Sequence, residues 1–467
     1  MNSLAQTTCV QRINRFLYTP AYFYVIAGLT ILANVCGLEL FTYSCFILIG
    51  VYLCLLGPDL LPILPLVICS YIAPSRSNNP GKNAASIFSL EKGGLYLLIL
   101  AAVFVVALIY RLIRDPELGG KAFFTCKRKL LPGILVLGGA YLLSGLGSDQ
   151  WTLVGWRNLL FAFLQFVSIF LLYYIFTGAV KWNDAPKAYL AWTGVCVGYV
   201  LVAELAFLFL NFNIIRNGEI YRYAIYTGWG HYNNIGALLT MMIPFTFFLT
   251  GKGRYSGIFY ITGIVFLTAI LFTCSRNSIL CAVVIYTLSY TISLINSRRA
   301  RANLAIHIFT VLLVIGIYVH FKDVLLRLFH SLIEIGTDPS QRDKVFSAAF
   351  HQFLRHPIFG GTFYPEAYPI PGWSSSEAFL AFFPNRWHNT VLQLLASCGV
   401  VGLGAYLYHR WQTLMLFFRQ PCGKKMFVFV YMLALMGTSM LDCHMFNIGP
   451  VLMYSMALAF VEKKLYE

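Results

Sequence analysis

Apolar residues occur in long runs separated by short polar stretches, and this pattern recurs from residue 20 to residue 461. A run of about 18 apolar residues is long enough to cross the hydrocarbon layer of a bilayer as a helix. The runs predict fourteen helices. Since the shortest of them could be re-entrant, the predicted number of membrane spans is about 12–14. The predicted ranges are 20–37, 40–56, 58–73, 94–110, 131–146, 157–178, 188–212, 233–250, 255–273, 277–295, 303–320, 387–409, 426–441 and 447–461.

The composition agrees with this pattern. Hydrophobic residues make up 59% of the 467 residues and charged residues only 11%, which is too few to cover the surface of a soluble protein of this length. The predicted fold class is therefore all-α, a polytopic transmembrane helical bundle that forms one membrane domain over 1–467. The first run is not a cleavable signal peptide, because it lacks a small-residue cleavage pattern and further spans follow it.

Charge orients the predicted spans. With the N-terminus in the cytoplasm, 21 of the 34 Lys and Arg residues fall in cytoplasmic loops and 13 on the other side. Both termini are then inside, and the long loop 321–386 is extracytoplasmic. Within that loop we expect short helices, one of them with an apolar face of Val345, Phe346, Ala349, Phe350 and Phe353. The net charge of +16 is thus explained by membrane topology, and no nucleic-acid partner is predicted.

The twelve cysteines do not predict disulfides or a metal site. Most of them lie inside apolar runs, where cysteine behaves as a small hydrophobic residue. No Cys/His spacing typical of metal ligands occurs, so we expect no metal site. No cofactor is predicted either.

Three basic groups fall where outward-facing helices begin. Arg276 begins the span at 277–295, Arg342 lies in the long loop, and His388-Asn389 follow Arg386 at the start of an apolar run. Helix N-termini attract anions, and the arginine fork fits phosphate oxygens. These residues would suit a lipid-linked diphosphate, although an arginine at a membrane edge more often contacts lipid headgroups.

Another outer segment, 216–234, is rich in aromatic and polar residues. Its polar members suit sugar binding, but the segment is equally typical of an aromatic belt at the membrane surface. They are Arg216, Arg222, His231, Asn233 and Asn234. Glu204 lies inside a predicted span and must face a cavity or a polar partner. The outward carboxylates are not distinguished from one another by the sequence; they are Asp149, Glu219, Asp343, Glu366, Glu377 and Asp442.

Together these motifs resemble the bacterial O-antigen ligase and O-antigen polymerase superfamily. The resemblance runs from about 211 to 409 and depends on Ser275-Arg276 at the start of a span, Arg342 in the outer loop, and His388-Asn389 before an apolar helix. The chain departs from the family at Asn277, where members often have glycine, and at Cys398, where they often have glutamate. These departures concern the geometry of the acceptor site.

The resemblance implies a GT-C-like helical fold and a metal-independent glycosyltransferase in the bacterial cytoplasmic membrane, with its active site facing the periplasm or the cell exterior. The donor would be an undecaprenyl-diphosphate-linked oligosaccharide and the acceptor a hydroxyl of a glycan or of a lipid-linked glycan. The resemblance assigns the donor diphosphate to Arg276 and Arg342, and acceptor activation to His388. Asn389, Arg222, Arg216, His231 and Asn233 are the predicted substrate contacts.

Three functions stay open at this point, and a membrane scaffold for glycan-assembling enzymes is a further alternative that no feature favours. Transfer to another lipid-linked repeat unit would make the protein a polymerase, which we favour, and transfer to lipid A core or another terminal acceptor would make it a ligase. A flippase for the same lipid-linked glycan would use Glu204 as a coupling site. The flippase is less favoured, because transporter halves usually show paired helix-breaking segments and none recur here.

Overall fold

The computed structural model describes most of the chain. The described residues are 8–72, 93–115, 117, 119–148, 151, 156–180, 186–211, 214–227, 230–250, 256–296, 300–330, 342–363, 387–419 and 423–463. They form two compact units, which are taken in turn. The first unit contains 1–126, 175–334 and 422–434, and the second contains 127–174, 335–421 and 435–467.

The first unit is built mainly from helices. The helices before residue 127 are α1 (Thr8–Phe16), α2 (Pro20–Cys36), α3 (Glu39–Leu56), α4 (Ile63–Ile72), α5 (Gly94–Arg114) and α6 (Gly120–Thr125). Helix α7 and most of α8 belong to the second unit. The first unit continues with α9 (Pro186–Asn211), α10 (Tyr232–Leu249), α11 (Ser256–Phe272), α12 (Arg276–Asn296), α13 (Ala300–His320) and α14 (Lys322–Leu328). Helix α10 is the centre of this unit, because it packs against α9, α11 and α12 and is buried along most of its length.

Two small antiparallel hairpins lie between α9 and α10. The first pairs β1 (Ile215–Arg216) with β2 (Glu219–Ile220), and the second pairs β3 (Tyr226–Thr227) with β4 (Gly230–His231). Asn217 and Gly218 close the first hairpin with φ of 54° and 83°, as an Asn-Gly hairpin turn requires. The all-α prediction did not include these short strands.

The second unit contains α7 (Leu131–Leu142), most of α8 (Trp156–Ala179), α15 (Arg342–Arg355), α16 (Thr390–Arg419), the end of α17 (Gly423–Thr438) and α18 (Ile448–Lys463). Helix α16 packs against both α7 and α15. Residues 439–447 connect α17 to α18 and include a short 3-10 helix over His444–Phe446.

The all-α polytopic fold class is confirmed. Each of the fourteen predicted spans coincides with a helix, and eight of the described helices are long and apolar enough to cross a membrane. A ninth would be α1 with α2, a pair bent by 75°. Several other helices are shorter, so the total of 12–14 spans stays a prediction.

Glu204 has a polar partner inside the first unit. Its carboxylate accepts a hydrogen bond from the side-chain amide of Asn34, and both side chains are buried. This pairing meets the expectation that a carboxylate within a span needs a partner or a cavity. The coupling role that a flippase would need stays a prediction.

Candidate active site

His388 lies in the second unit, two residues before α16 begins. Its backbone has a φ of 50°, in the left-handed region that few non-glycine residues adopt. The neighbouring Trp387 is buried, and its backbone N–H donates to Oε1 of Gln393 at 3.0 Å. The chain is therefore fixed on the N-terminal side of His388. Arg386, the first residue of this motif, lies outside the described residues.

The imidazole of His388 faces a carboxylate. Its Nδ1 is 3.5 Å from Oδ1 of Asp442, which is almost buried while the histidine side chain is 36% exposed. The same Oδ1 accepts the backbone N–H of Cys443 at 2.8 Å. Nδ1 has no hydrogen-bond partner among the described residues, so the contact with Asp442 is electrostatic. A nearby carboxylate favours the tautomer with the proton on Nδ1, which leaves Nε2 to accept a proton. The pair can thus work as a general base.

Asn389 is the N-cap of α16. Its Oδ1 accepts the backbone N–H groups of Val391 at 2.9 Å and Leu392 at 3.0 Å, as an N-cap asparagine does. Its Nδ2 donates to the backbone carbonyl of Met440 at 2.9 Å. Asn389 was predicted as a substrate contact, but its amide oxygen and nitrogen both have protein partners.

Arg342 begins α15, a helix that packs against the start of α16. Val345 and Ala349 on α15 form one buried cluster with Trp387 and Ala396. The structure therefore brings the first turn of the helix that carries Arg342 to the residue that precedes His388. The predicted helix in this loop is confirmed, but its buried face differs, since Phe350 is 49% exposed.

The segment that follows α15 is bound to α16 at the point where α16 is interrupted. Gly399 has φ 62° and ψ −159°, which interrupts the helical hydrogen bonds. The freed backbone groups pair with the segment 357–361 instead. Val400 N–H donates to the carbonyl of Pro357 at 2.9 Å, and Gly361 N–H donates to that of Ala396 at 2.8 Å. Both ends of α15 are thus fixed relative to the helix that follows His388.

In the first unit, Arg276 begins α12 after a tight turn. Cys274 in that turn has a φ of 52°. The hydroxyl of Ser275 lies 2.9 Å from that of Ser278, and Ser275 N–H donates to Oγ1 of Thr273 at 3.3 Å. These bonds pair the polar groups of the turn with one another.

Two arginine side chains of the first unit have unused donors. The Nε of Arg222 and the Nε of Arg276 are each buried without a hydrogen-bond partner, and neither guanidinium forms an ion pair within the described part of the chain. Burial raises the pKa of Cys274 to about 11, and the nearby charge of Arg222 acts in the opposite direction. The charge of Arg222 therefore acts on Cys274, which lies two residues before Arg276.

The other predicted contacts of this unit lie around the second hairpin and the start of α10. Nδ1 of His231 accepts the backbone N–H of Asn233 at 3.2 Å, so this histidine caps α10. The guanidinium of Arg216 stacks over the ring of Tyr221 at 4.2 Å. The absence of a side chain at Gly236 lets α10 approach Ser278 closely, because an added Cβ would lie 2.8 Å from the serine Cβ. The start of α10 and the start of α12 are therefore neighbours.

A family comparison matches part of the chain. The sequence model described as O-antigen ligase matches residues 261–407. The predicted superfamily is confirmed over these residues. The match includes Arg276, Arg342, His388 and Asn389, and it supports membrane glycosyltransferase activity of the O-antigen ligase type on a lipid-linked glycan. No curated protein matches the chain.

The matched region is narrower than the resemblance over 211–409 and leaves several candidates outside. These are Arg216, Arg222, His231, Asn233 and Asp442. Among the residues that the structure describes, no group of three or more His, Cys, Asp or Glu residues is placed to hold a metal ion.

Asp442 is the site residue that sequence reasoning did not single out. The topology placed it on the same side of the membrane as His388, together with five other carboxylates. Of those five, Glu219 pairs with His330 at 3.3 Å, and Asp149, Glu366 and Glu377 lie outside the described residues. The predicted side of the membrane was the available information, and it does not distinguish which of these carboxylates contacts the imidazole of His388.

Proposed function

We propose that this protein transfers an undecaprenyl-diphosphate-linked glycan onto an acceptor hydroxyl at the outer face of the bacterial cytoplasmic membrane, and that it polymerises repeat units of a surface polysaccharide. The observation that carries the proposal is the His388–Asp442 pair at the start of α16, with Nδ1 and Oδ1 3.5 Å apart. His388 lies within the region that matches the O-antigen ligase family.

In the proposed reaction, Nε2 of His388 accepts the proton of the acceptor hydroxyl. The hydroxyl oxygen attacks the anomeric carbon of the donor sugar, and the bond from that carbon to the diphosphate oxygen breaks. The lipid diphosphate leaves with the electron pair. Asp442 stabilises the imidazolium that forms, as a carboxylate beside a catalytic histidine does in other enzymes.

The leaving diphosphate needs positive charge, which we assign to arginines. Arg276 supplies a guanidinium with an unused buried Nε donor at the start of α12, and Arg342 begins α15. Guanidinium groups bind phosphate oxygens in bidentate fashion and stabilise charge that develops in the transition state. In this scheme the arginines supply the stabilisation without a metal ion or a cofactor.

We assign the glycan to the outer segment of the first unit. Arg222 lies over the rings of Tyr223 and Tyr232 at 5.0 and 5.3 Å, and Tyr223 is 62% exposed. Exposed rings offer flat apolar faces, and Arg216, His231 and Asn233 lie in the same segment beside them. The aromatic-belt interpretation predicts lipid contacts for the same residues.

Ligase-type transfer to lipid A core or another terminal acceptor is the second candidate, and it uses the same residues with a different acceptor. A flippase would move the intact donor and form no glycosidic bond. The family match favours transfer over movement.

The proposal is tested with purified protein and an undecaprenyl-diphosphate-linked repeat unit, alone and with lipid A core oligosaccharide. A ladder of longer lipid-linked chains from the donor alone identifies a polymerase, and product only with the added core identifies a ligase. We expect His388→Ala to lower the rate by about 10²- to 10⁴-fold and Arg276→Ala by about 10²- to 10³-fold.

Matched controls are available in the chain. His351 and Arg355 are exposed on α15, so His351→Ala and Arg355→Ala should keep wild-type activity. Full activity of His388→Ala would remove the basis of the assignment. Transfer of intact donor across liposomes, without any new glycosidic bond, would identify a flippase.

A further inference from the structure

The segment 439–443 is bound to the start of α16 by two neighbouring hydrogen bonds. The backbone N–H of Thr390 donates to the carbonyl of Ser439 at 3.0 Å. The side-chain Nδ2 of Asn389 donates to the carbonyl of Met440 at 2.9 Å. Two consecutive residues of the helix start therefore hold two consecutive residues of the segment.

The same segment carries the carboxylate that faces the imidazole. Asp442 follows Met440 by two residues, and its Oδ1 lies 3.5 Å from Nδ1 of His388. Farther along, Sγ of Cys443 donates to Oε1 of Gln393 at 3.8 Å. Asp442 is thus placed between two attachments to the helix that His388 precedes.

Asn389 links the two halves of this arrangement with one side chain. Its Oδ1 caps α16 by accepting the N–H groups of Val391 and Leu392, which fixes the helix start next to His388. Its Nδ2 holds the segment that carries Asp442. A sugar hydroxyl would have to compete with these bonds for either atom.

We propose that Asn389 is a positioning residue, which holds Asp442 against His388 and acts on the reaction through that carboxylate and not by binding the substrate. The inference rests on the proposed function, because it assumes that His388 is the general base. It makes a separate prediction about kinetics. Loss of the Asn389–Met440 bond should lower kcat and leave KM unchanged, whereas loss of a substrate contact would raise KM.

Asn389→Ser isolates the bond to Met440. Serine is a good N-cap, so the helix start is retained, but its hydroxyl is too short to reach the Met440 carbonyl. We expect kcat to fall about tenfold, the factor that corresponds to one net hydrogen bond. The KM for the undecaprenyl-diphosphate-linked repeat unit, and for lipid A core oligosaccharide where that is the acceptor, should stay within about twofold, well below the tenfold effect that one such bond can have.

A double-mutant cycle with Asp442→Asn decides the mechanism. If Asn389 acts through Asp442, the substitution Asn389→Ser should have little further effect in the Asp442→Asn background, since interacting residues give non-additive changes. Effects on kcat that multiply, or a rise in KM with kcat unchanged, would overturn the inference. Asn211→Ala is the control, because it removes one Nδ2-to-carbonyl bond of the same 2.9 Å length in the other unit and introduces no hydroxyl that could replace it. It should keep wild-type kinetics.

The amount of protein in the membrane is measured for every variant. If Asn389→Ser does not accumulate, Asn389→Asp replaces it, since aspartate retains the cap oxygen and lacks the donor. Failure of both to accumulate would show a folding role and overturn the assignment. The activity of His388→Ala separates the two proposals. Full activity of this variant rejects the proposed function. If His388→Ala is inactive but the effects of Asn389→Ser and Asp442→Asn on kcat multiply, only the role of Asn389 is rejected.

Discussion

At the scale of single residues, strained backbone occurs beside the candidate chemistry. Within the described ranges the non-glycine residues with positive φ are Asn217, Cys274 and His388. The first closes a hairpin, which is an ordinary use of asparagine. Cys274 lies two residues before Arg276, and His388 is itself the candidate base. Left-handed conformations of such residues cost free energy and persist where the surrounding structure imposes them, often at functional sites.

Cys274 gives a prediction about chemical reactivity. The side chain is fully buried, and burial raises its pKa to about 11, so below that pH the thiol is protonated and neutral. Since the thiolate is the reactive form, we expect maleimide at pH 7.5 to label Cys274 far more slowly than the exposed Cys9, which precedes the first predicted span. Mass spectrometry of the protein in detergent measures the labelling.

Arg222→Ala is the control for this prediction. The positive charge of Arg222 lowers the pKa of Cys274, so its removal should raise that pKa further and slow the labelling. Faster labelling in Arg222→Ala, or labelling of Cys274 as rapid as that of Cys9, would contradict the described surroundings of the thiol.

The positions of the candidate residues at helix starts could be predicted from the sequence, but the partners of these residues could not. Arg276, Arg342 and His388 stand at helix starts, which are visible as polar residues before apolar runs. The pairing of His388 with Asp442 depends on how the connection after α17 packs against the start of α16. That packing joins residues about fifty positions apart, so local sequence contains no signal for it.

At the scale of secondary-structure elements, the break in α16 is the main feature that the sequence did not predict. Glycines in apolar runs are common in membrane helices, and most of them keep helical geometry. Gly399 breaks the helix because the segment 357–361 supplies alternative hydrogen-bond partners, and that segment is distant in the sequence. The same contact explains why α15 buries Val345 and Ala349 and not Phe350: small side chains allow close approach to α16.

Gly399→Ala tests the role of this break. A side chain at φ 62° and ψ −159° is strained, and the added Cβ would collide with the carbonyl oxygen of Ile358. We expect a loss of at least about 3 kcal/mol in stability and a large loss of transferase activity, because the attachment of α15 is disturbed. Thermal unfolding in detergent and the transfer assay measure the two effects.

Gly404→Ala provides the comparison on the same helix. Among the described residues, and apart from the backbone of its own helix, no atom lies within 4 Å of a Cβ at Gly404, and alanine has a higher helix propensity than glycine. This variant should be as stable as the wild type or slightly more stable. Equal behaviour of the two variants would mean that the break at Gly399 does not support the fold.

At the scale of the whole molecule, helix positions follow from hydrophobicity because each span must satisfy its backbone hydrogen bonds internally. This constraint is why the fourteen predicted ranges agree with helices of the structure. The hairpins at 215–231 were not predicted, because they lie outside the apolar runs and depend on local turns such as Asn217-Gly218. The division of the chain into two units is also invisible in the sequence, since each unit combines distant segments.

Orientation in the membrane is a prediction for the whole chain. The bias of Lys and Arg places both termini and the α12–α13 connection in the cytoplasm, and α14, α15 and His388 on the outer side. Alkaline phosphatase, which is active only outside the cytoplasm, should be active when fused after Leu328 and inactive when fused after Asn296. Green fluorescent protein at the C-terminus of the full chain should fluoresce.

The opposite pattern would place His388 on the cytoplasmic side, where the proposed outward-facing transfer could not occur.

A variant with fewer basic residues tests whether charge sets this orientation. Replacing Arg298, Arg299 and Arg301 by glutamine removes three of the cytoplasmic basic residues between α12 and α13. If the positive-inside rule sets this topology, the contrast between the two fusions should weaken in this variant, whereas removal of outer basic residues such as Lys322 and Arg327 should leave it intact.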